Sequence, residues 1–254
     1  MAEKKSAQGE SGKAEGASSL CEGKSDRYIT VAPSLLSANF TRFDREMTRF
    51  LRTGAEILHL DVMDGNFVPN ITFGYSLIGA LRPLAPGIIF DVHLMMTHPL
   101  AYIERFAKAG ADIITVHVEC DDDVSACIDA IHAQGIKAGI SVKPDTPAEA
   151  IYEYLDRLQL ALVMTVHPGF GGQTMIYRCL DKIPEIRQKA QSLGNDSLLI
   201  SVDGGINNDT CTEVAAKGAN ILVAGNAVFG TRNMPAAFDG LMKRVAPGYK
   251  RKDS

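Results

Sequence analysis

From Tyr28 onward, short apolar runs rich in β-branched residues alternate with longer amphipathic stretches, and the alternation repeats eight times. The runs read YITVAPSLLS, AEILHLDVMD, IIFDVHLMM, DIITVHVE, KAGISVKP, ALVMTVHPG, LLISVDGGI and NILVAGNAVF. Between them lie segments of helical character, among them FDREMTRFLRTG, LAYIERFAKAG, VSACIDAIHAQG, AEAIYEYLDRL and CTEVAAKG, several ending in the glycine that commonly follows a helix. Near-continuous hydrophobic strands are those of a parallel sheet covered on both faces. Strict β-α alternation through eight units predicts a closed (β/α)8 TIM barrel, an α/β fold in a single domain. An open doubly wound sheet would carry a GxGxxG turn after its first strand. Here that turn reads PSLLSANF.

Length and composition agree. One barrel fits 254 residues, and 46% hydrophobic residues supply a full core. A net charge of -4 argues against a nucleic-acid surface. No run of about 20 apolar residues predicts a membrane span. The five cysteines, Cys21, Cys120, Cys127, Cys179 and Cys211, show no paired spacing and read as reduced thiols. Residues 1–27, rich in Lys, Glu, Gly, Ser and Ala, read as a disordered extension. Their glutamates argue against a transit peptide, so a cytoplasmic protein is expected. Residues 28–248 are expected to form the catalytic barrel and 249–254 a tail.

In such barrels the active site lies at the C-terminal ends of the strands. The unusual residues gather there. The first strand ends near Ser34, and the second carries His59, Asp61 and Met63. The third carries His93 and Met95, the sixth carries Met164, and the seventh ends in Asp203. Side chains two apart share a strand face. Two imidazoles and a carboxylate thus converge if that face is the interior, and Asp203 approaches from across the mouth. Such a set, His59, Asp61, His93 and Asp203, suits one divalent ion, Zn, Fe(II), Mn or Co, without choosing among them. Asp91 lies deeper on its strand and takes a supporting role; His117 is left outside the ligand set. Met63, Met95 and Met164 form a dry, polarizable wall or simply fill the core.

Glycine clusters make a second constellation. Gly169, Phe170, Gly171 and Gly172 follow strand six, Gly204 and Gly205 follow strand seven, and Gly225 and Asn226 follow strand eight. Glycine lets backbone amides point at one oxyanion, and barrels bind phosphate at the last loops. No Lys or Arg stands in these segments, so backbone dipoles would carry the recognition.

The stretches APSLLSANF, HLDVMDGNFVPNITFG, DVHLMM, VMTVHPGFGGQ, VDGGI and AGNAVFG, spanning Tyr28 to Gly230, resemble the ribulose-phosphate 3-epimerase family. The resemblance implies a homo-oligomeric, metal-dependent enzyme of the pentose phosphate pathway with no organic cofactor, acting on a sugar phosphate. Asp61 and Asp203 would be the acid/base pair. Ser34, His93, Gly169, Phe170, Gly171, Gly172, Asp203, Gly204, Gly205, Gly225 and Asn226 would contact substrate. Three positions depart from the family pattern: Asn39 where Asp is common, Asn226 where Ser is usual, and His167 where Asn or Glu is frequent. D-ribulose 5-phosphate and D-xylulose 5-phosphate differ at C3, beside the C2 ketone. One carboxyl on each face of a flat enediolate would invert that centre, with a divalent ion as Lewis acid. The alternatives are an epimerase for a related ketose phosphate such as D-allulose 6-phosphate, a noncatalytic barrel that binds a phosphorylated ligand, and a phosphate-binding lyase or isomerase.

Overall fold

The computed structural model describes residues 28–251; the expectation of a disordered extension over 1–27 falls outside them. Eight parallel strands follow one another in the chain: β1 (Thr30–Pro33), β2 (Ile57–Met63), β3 (Ile89–Met95), β4 (Ile113–His117), β5 (Lys137–Val142), β6 (Leu160–Met164), β7 (Leu199–Asp203) and β8 (Ile221–Ala224). Each pairs with its neighbour from β2 to β8, β8 pairs β1, and a parallel bridge between Ser34 and His59 joins the remaining edge. The sheet therefore closes on itself, as the eightfold alternation predicts.

The strands are apolar on both faces because both faces are covered. Inside, Ile57, Ile89, Ile113, Leu160, Leu199 and Ile221 fill the bottom of the barrel. Outside, Leu58, Leu60, Phe90, Val92, Ile114 and Val116 pack under the helices. Each such side chain contributes roughly 1.5–3 kcal/mol on burial. The helices are α1 (Phe43–Leu51), α2 (Tyr75–Leu81), α3 (Ile103–Lys108), α4 (Val124–Ala133), α5 (Lys182–Ser192), α6 (Cys211–Ala216), α7 (Asn226–Phe229) and α8 (Met234–Val245). On α4, Val124, Cys127, Ile128 and Ile131 turn inward at three- and four-residue steps. Asp123 caps its first turn by accepting from the Ser125 amide, and Gly135, at φ 69°, carries the chain out of its last.

One crossover differs from the helical expectation. AEAIYEYLDRL winds as a 3₁₀ helix over Ala148–Arg157. The tighter winding rises about 2.0 Å per residue rather than 1.5. Ten residues then reach about 20 Å instead of 15, enough to return beside a strand. At the far end, Tyr249 packs against Phe238 of α8, and Arg251 lies 3.3 Å from Asp239. Among the described residues, no helix is long and apolar enough to cross a membrane.

Candidate metal and substrate site

Strand register assembles the site. His59 stands beside Asp91, Asp61 beside His93, and Met63 beside Met95 along the β2–β3 pair. On the far side, Met164 of β6 stands beside Asp203 of β7. The inward face of β2 thus presents Ile57, His59, Asp61 and Met63 in rising order, from apolar floor to pocket wall.

Asp61 is the hub. Its Oδ2 accepts from the Ser34 hydroxyl at 2.6 Å. Its Oδ1 lies 3.2 Å from His59 Nε2 and 3.1 Å from His93 Nδ1. The other nitrogen of each imidazole is also engaged. His59 Nδ1 is 2.8 Å from Asp91 Oδ2, and His93 Nε2 is 2.9 Å from His117 Nε2. His59, Asp61, His93 and Asp203 each offer a ligand atom within 4.8 Å of the others. The H-x-D pair and the two donors expected from the third and seventh strands therefore lie together.

The electrostatics are those of a centre that wants a cation. Burial pushes the Asp203 carboxyl up, reinforced by the negative charge of Asp61, to about 7. Burial works against ionised Asp61 too, but His59 and His93 outweigh it and hold that carboxyl far below the ordinary carboxylate range. Burial likewise disfavours a charged His59, yet Asp61 and Asp91 raise its pKa well above the usual value. Two carboxylates in a pocket this dry repel one another unless a positive charge lies between them. A divalent ion satisfies that need, and two imidazoles with two carboxylates form a donor set for it.

Above the cluster opens a cavity of about 390 Å³, within the range of small-molecule sites. Asp61 and Asp203 line it, together with Met63, Met95 and Met164. Its wall also includes Ser34, the segment Gly169, Phe170, Gly171 and Gly172, then Gly204, Gly205, Gly225 and Asn226. His59 and His93 lie below its floor, fully buried. Glycine is required where the loops meet: at Gly205, φ 68°, an added Cβ would fall 2.7 Å from the Met175 amide nitrogen. At Gly225 it would fall 2.4 Å from Ser37 Oγ. Asn70 Nδ2 donates to the Gly169 carbonyl at 2.8 Å, and Thr165 Oγ1 donates to the carbonyls of Asp203 (2.9 Å) and Gly204 (2.6 Å). The loop amides are thus held from outside the pocket.

The departures from the family pattern find places. Asn39 sits away from the pocket, where its Oδ1 accepts from the Thr41 amide at 3.0 Å and starts a short 3₁₀ turn, a task Asp also performs. Asn226 lines the pocket opposite Gly172. The His167 side chain is largely exposed, with Nδ1 3.8 Å from Asp145. Sequence reasoning did not single out Ser37, which lines the pocket. It also missed Glu119, which accepts from or donates to no ligand residue directly but lies 2.9 Å from His117 Nδ1. Only the pairing of β3 with β4, which brings His117 to His93, links Glu119 to the site.

Residues 30–229 match the family model described as the Ribulose-phosphate 3 epimerase family. The ribulose-phosphate 3-epimerase of Bacillus subtilis is 48% identical over 202 residues, covering 80% of this chain and 93% of its own. The chloroplastic ribulose-5-phosphate-3-epimerase of Arabidopsis thaliana is 40% identical over 233 residues, 91% of this chain and 82% of its own. In fold, the 3-hexulose-6-phosphate synthase of Salmonella typhimurium superposes with a TM-score of 0.67 at 18% identity, over 87% of this chain and all of that one. The motifs, the strand register and these likenesses agree: the chain belongs to the ribulose-phosphate 3-epimerase family.

Proposed function

We infer that this chain interconverts D-ribulose 5-phosphate and D-xylulose 5-phosphate by moving the proton on C3, in the pentose phosphate pathway. The observation that carries the chemistry is the convergence of His59, Asp61, His93 and Asp203 at the floor of a pocket walled by glycine loops.

The residues divide the work. His59, Asp61, His93 and Asp203 would hold a divalent ion, Zn, Fe(II), Mn or Co. Bound there, the ion would act as a Lewis acid that stabilises negative charge on the substrate oxygens. Asp61 enters from β2 and Asp203 from β7, with β1 and β8 between them. A sugar between the two carboxyls exposes opposite faces of C3, one to a base and the other to an acid. Inversion follows when one takes the proton and the other returns one, and the roles exchange for the reverse reaction. Ser34 donates to Asp61 and holds that carboxylate in place. Met63, Met95 and Met164 keep water from the flat intermediate. The amides around Gly171, Gly172, Gly205 and Gly225, with the Asn226 side chain, would take the phosphate without a cationic side chain. No organic cofactor is required.

The exposed apolar side chains of Phe40 and Ile71 support a homo-oligomer. The free Cys120, Cys127, Cys179 and Cys211 support a cytoplasmic enzyme.

The test is exchange in heavy water. D-ribulose 5-phosphate recovered from the reaction should carry deuterium at C3, in a sample whose metal content is measured. D-allulose 6-phosphate under the same conditions should turn over far more slowly. Exchange that is faster on the allulose ester would reassign the substrate, and none on either ester would end the epimerase reading.

A further inference from the structure

A file of groups runs from the site to the far side of β4. His93 Nε2 lies 2.9 Å from His117 Nε2, and His117 Nδ1 lies 2.9 Å from Glu119 Oε2. The second oxygen, Glu119 Oε1, accepts from the Lys143 amide at 2.7 Å. His93 and His117 are fully buried, with ring centroids 4.9 Å apart. The ring of Phe67 covers His117 at 4.7 Å, and the Lys143 ammonium caps Phe67 at 3.6 Å. Burial and these ring contacts restrain both imidazoles.

Proton counting makes this file directional. A nitrogen facing a carboxylate outside the metal cluster carries the hydrogen, and the other nitrogen of a neutral ring then carries the lone pair, free for the ion that Asp61 would share. Glu119 accepts from His117 Nδ1–H, so His117 Nε2 is an acceptor. His93 Nε2 faces that acceptor and must be the donor. His93 Nδ1 then bears a lone pair, and it is this nitrogen that lies 3.1 Å from Asp61 Oδ1. On β2 the same rule gives the opposite result in one step: Asp91 accepts from His59 Nδ1–H, which leaves the lone pair on Nε2.

We propose that Glu119 and His117 are positioning residues that set the tautomer of His93, so that His93 binds the metal through Nδ1 while His59 binds through Nε2. The inference rests on the four-residue metal site described above. Carboxylate–histidine supports of this kind typically contribute 10–100-fold in metal affinity. The carboxylate at 119 is needed rather than an amide. Its oxygens take only donors: the Lys143 amide, the Thr146 side chain and His117. A glutamine that keeps the Lys143 contact turns its NH2 to His117, inverts both rings and points an N–H at the metal.

The test uses the full-length protein and zinc. ¹⁵N spectra of the wild type should show a protonated Nε2 on His93 and a protonated Nδ1 on His117 and His59. Glu119→Gln should weaken zinc binding 10–100-fold against a chromophoric chelator and shift the ¹⁵N pattern of both rings. His117→Phe should weaken it comparably. His117→Gln, whose side-chain oxygen can replace the lost acceptor, should recover most of the affinity. A protonated Nδ1 on wild-type His93 would overturn the proposal whatever the variants do, as would wild-type zinc affinity in Glu119→Gln. Failure of the wild type to bind zinc, iron, manganese or cobalt would instead remove the metal site itself.

Discussion

Asp61 accepts from Ser34 and lies within reach of two imidazoles, whereas Asp203 meets the pocket with only backbone support behind it. The two carboxyls are therefore unequal in surroundings although the proposed mechanism gives both a part in the proton transfer. Asp61→Asn and Asp203→Asn should each lower kcat by at least about a hundredfold, the low end for a positioned acid or base. Steady-state assays of both, alongside circular dichroism to show an intact fold, check this. At this scale the sequence is informative about some residues and silent about others. His59 and Asp61 are two apart on one strand, so their shared face is a local property. Glu119 is also two apart from His117, but its use depends on a hydrogen bond between side chains of different strands.

Among the elements, the crossover after β5 is held by an unusual device. Lys182, at the first turn of α5, is buried and donates from Nζ to the carbonyls of Lys143 (2.7 Å), Pro144 (2.9 Å) and Thr146 (2.6 Å). Those carbonyls belong to the loop whose Lys143 amide binds Glu119. Lys182→Met keeps the aliphatic packing but strips a charged donor from three acceptors. The loss should be on the order of 3 kcal/mol, since each buried polar group left unsatisfied costs about 1–3 and relaxation recovers part of it. Urea unfolding of the variant and wild type measures it. The winding of this same crossover as a 3₁₀ helix over Ala148–Arg157 was not legible in AEAIYEYLDRL. Its apolar spacing suits an α-helix, and the path it must span exists only once β5 and β6 are paired.

For the molecule as a whole, a metal held by this cluster would couple its binding to folding. The barrel brings Asp203 close to Asp61, and a cation bound between them would offset the energy of that approach. Saturation at about a thousand times Kd stabilises the folded state by about 4 kcal/mol, and a domain of this size shifts by about 2–4 °C per kcal/mol. Exhaustive chelation should therefore lower Tm by about 10 °C, and readdition of zinc should restore it; scanning calorimetry on one sample reads both. What the sequence determined by itself is local or periodic: eight buried strands alternating with helices, glycines where the last three strands end, and the H-x-D pair on a single face. Those follow from side-chain period and backbone freedom, which act over a few residues. The tertiary structure alone decided which side chains meet across strands: His59 with Asp91, Asp61 with His93, His93 with His117, and Asp203 with His59, Asp61 and His93. Register and closure set those meetings, and both depend on packing between segments distant in the chain.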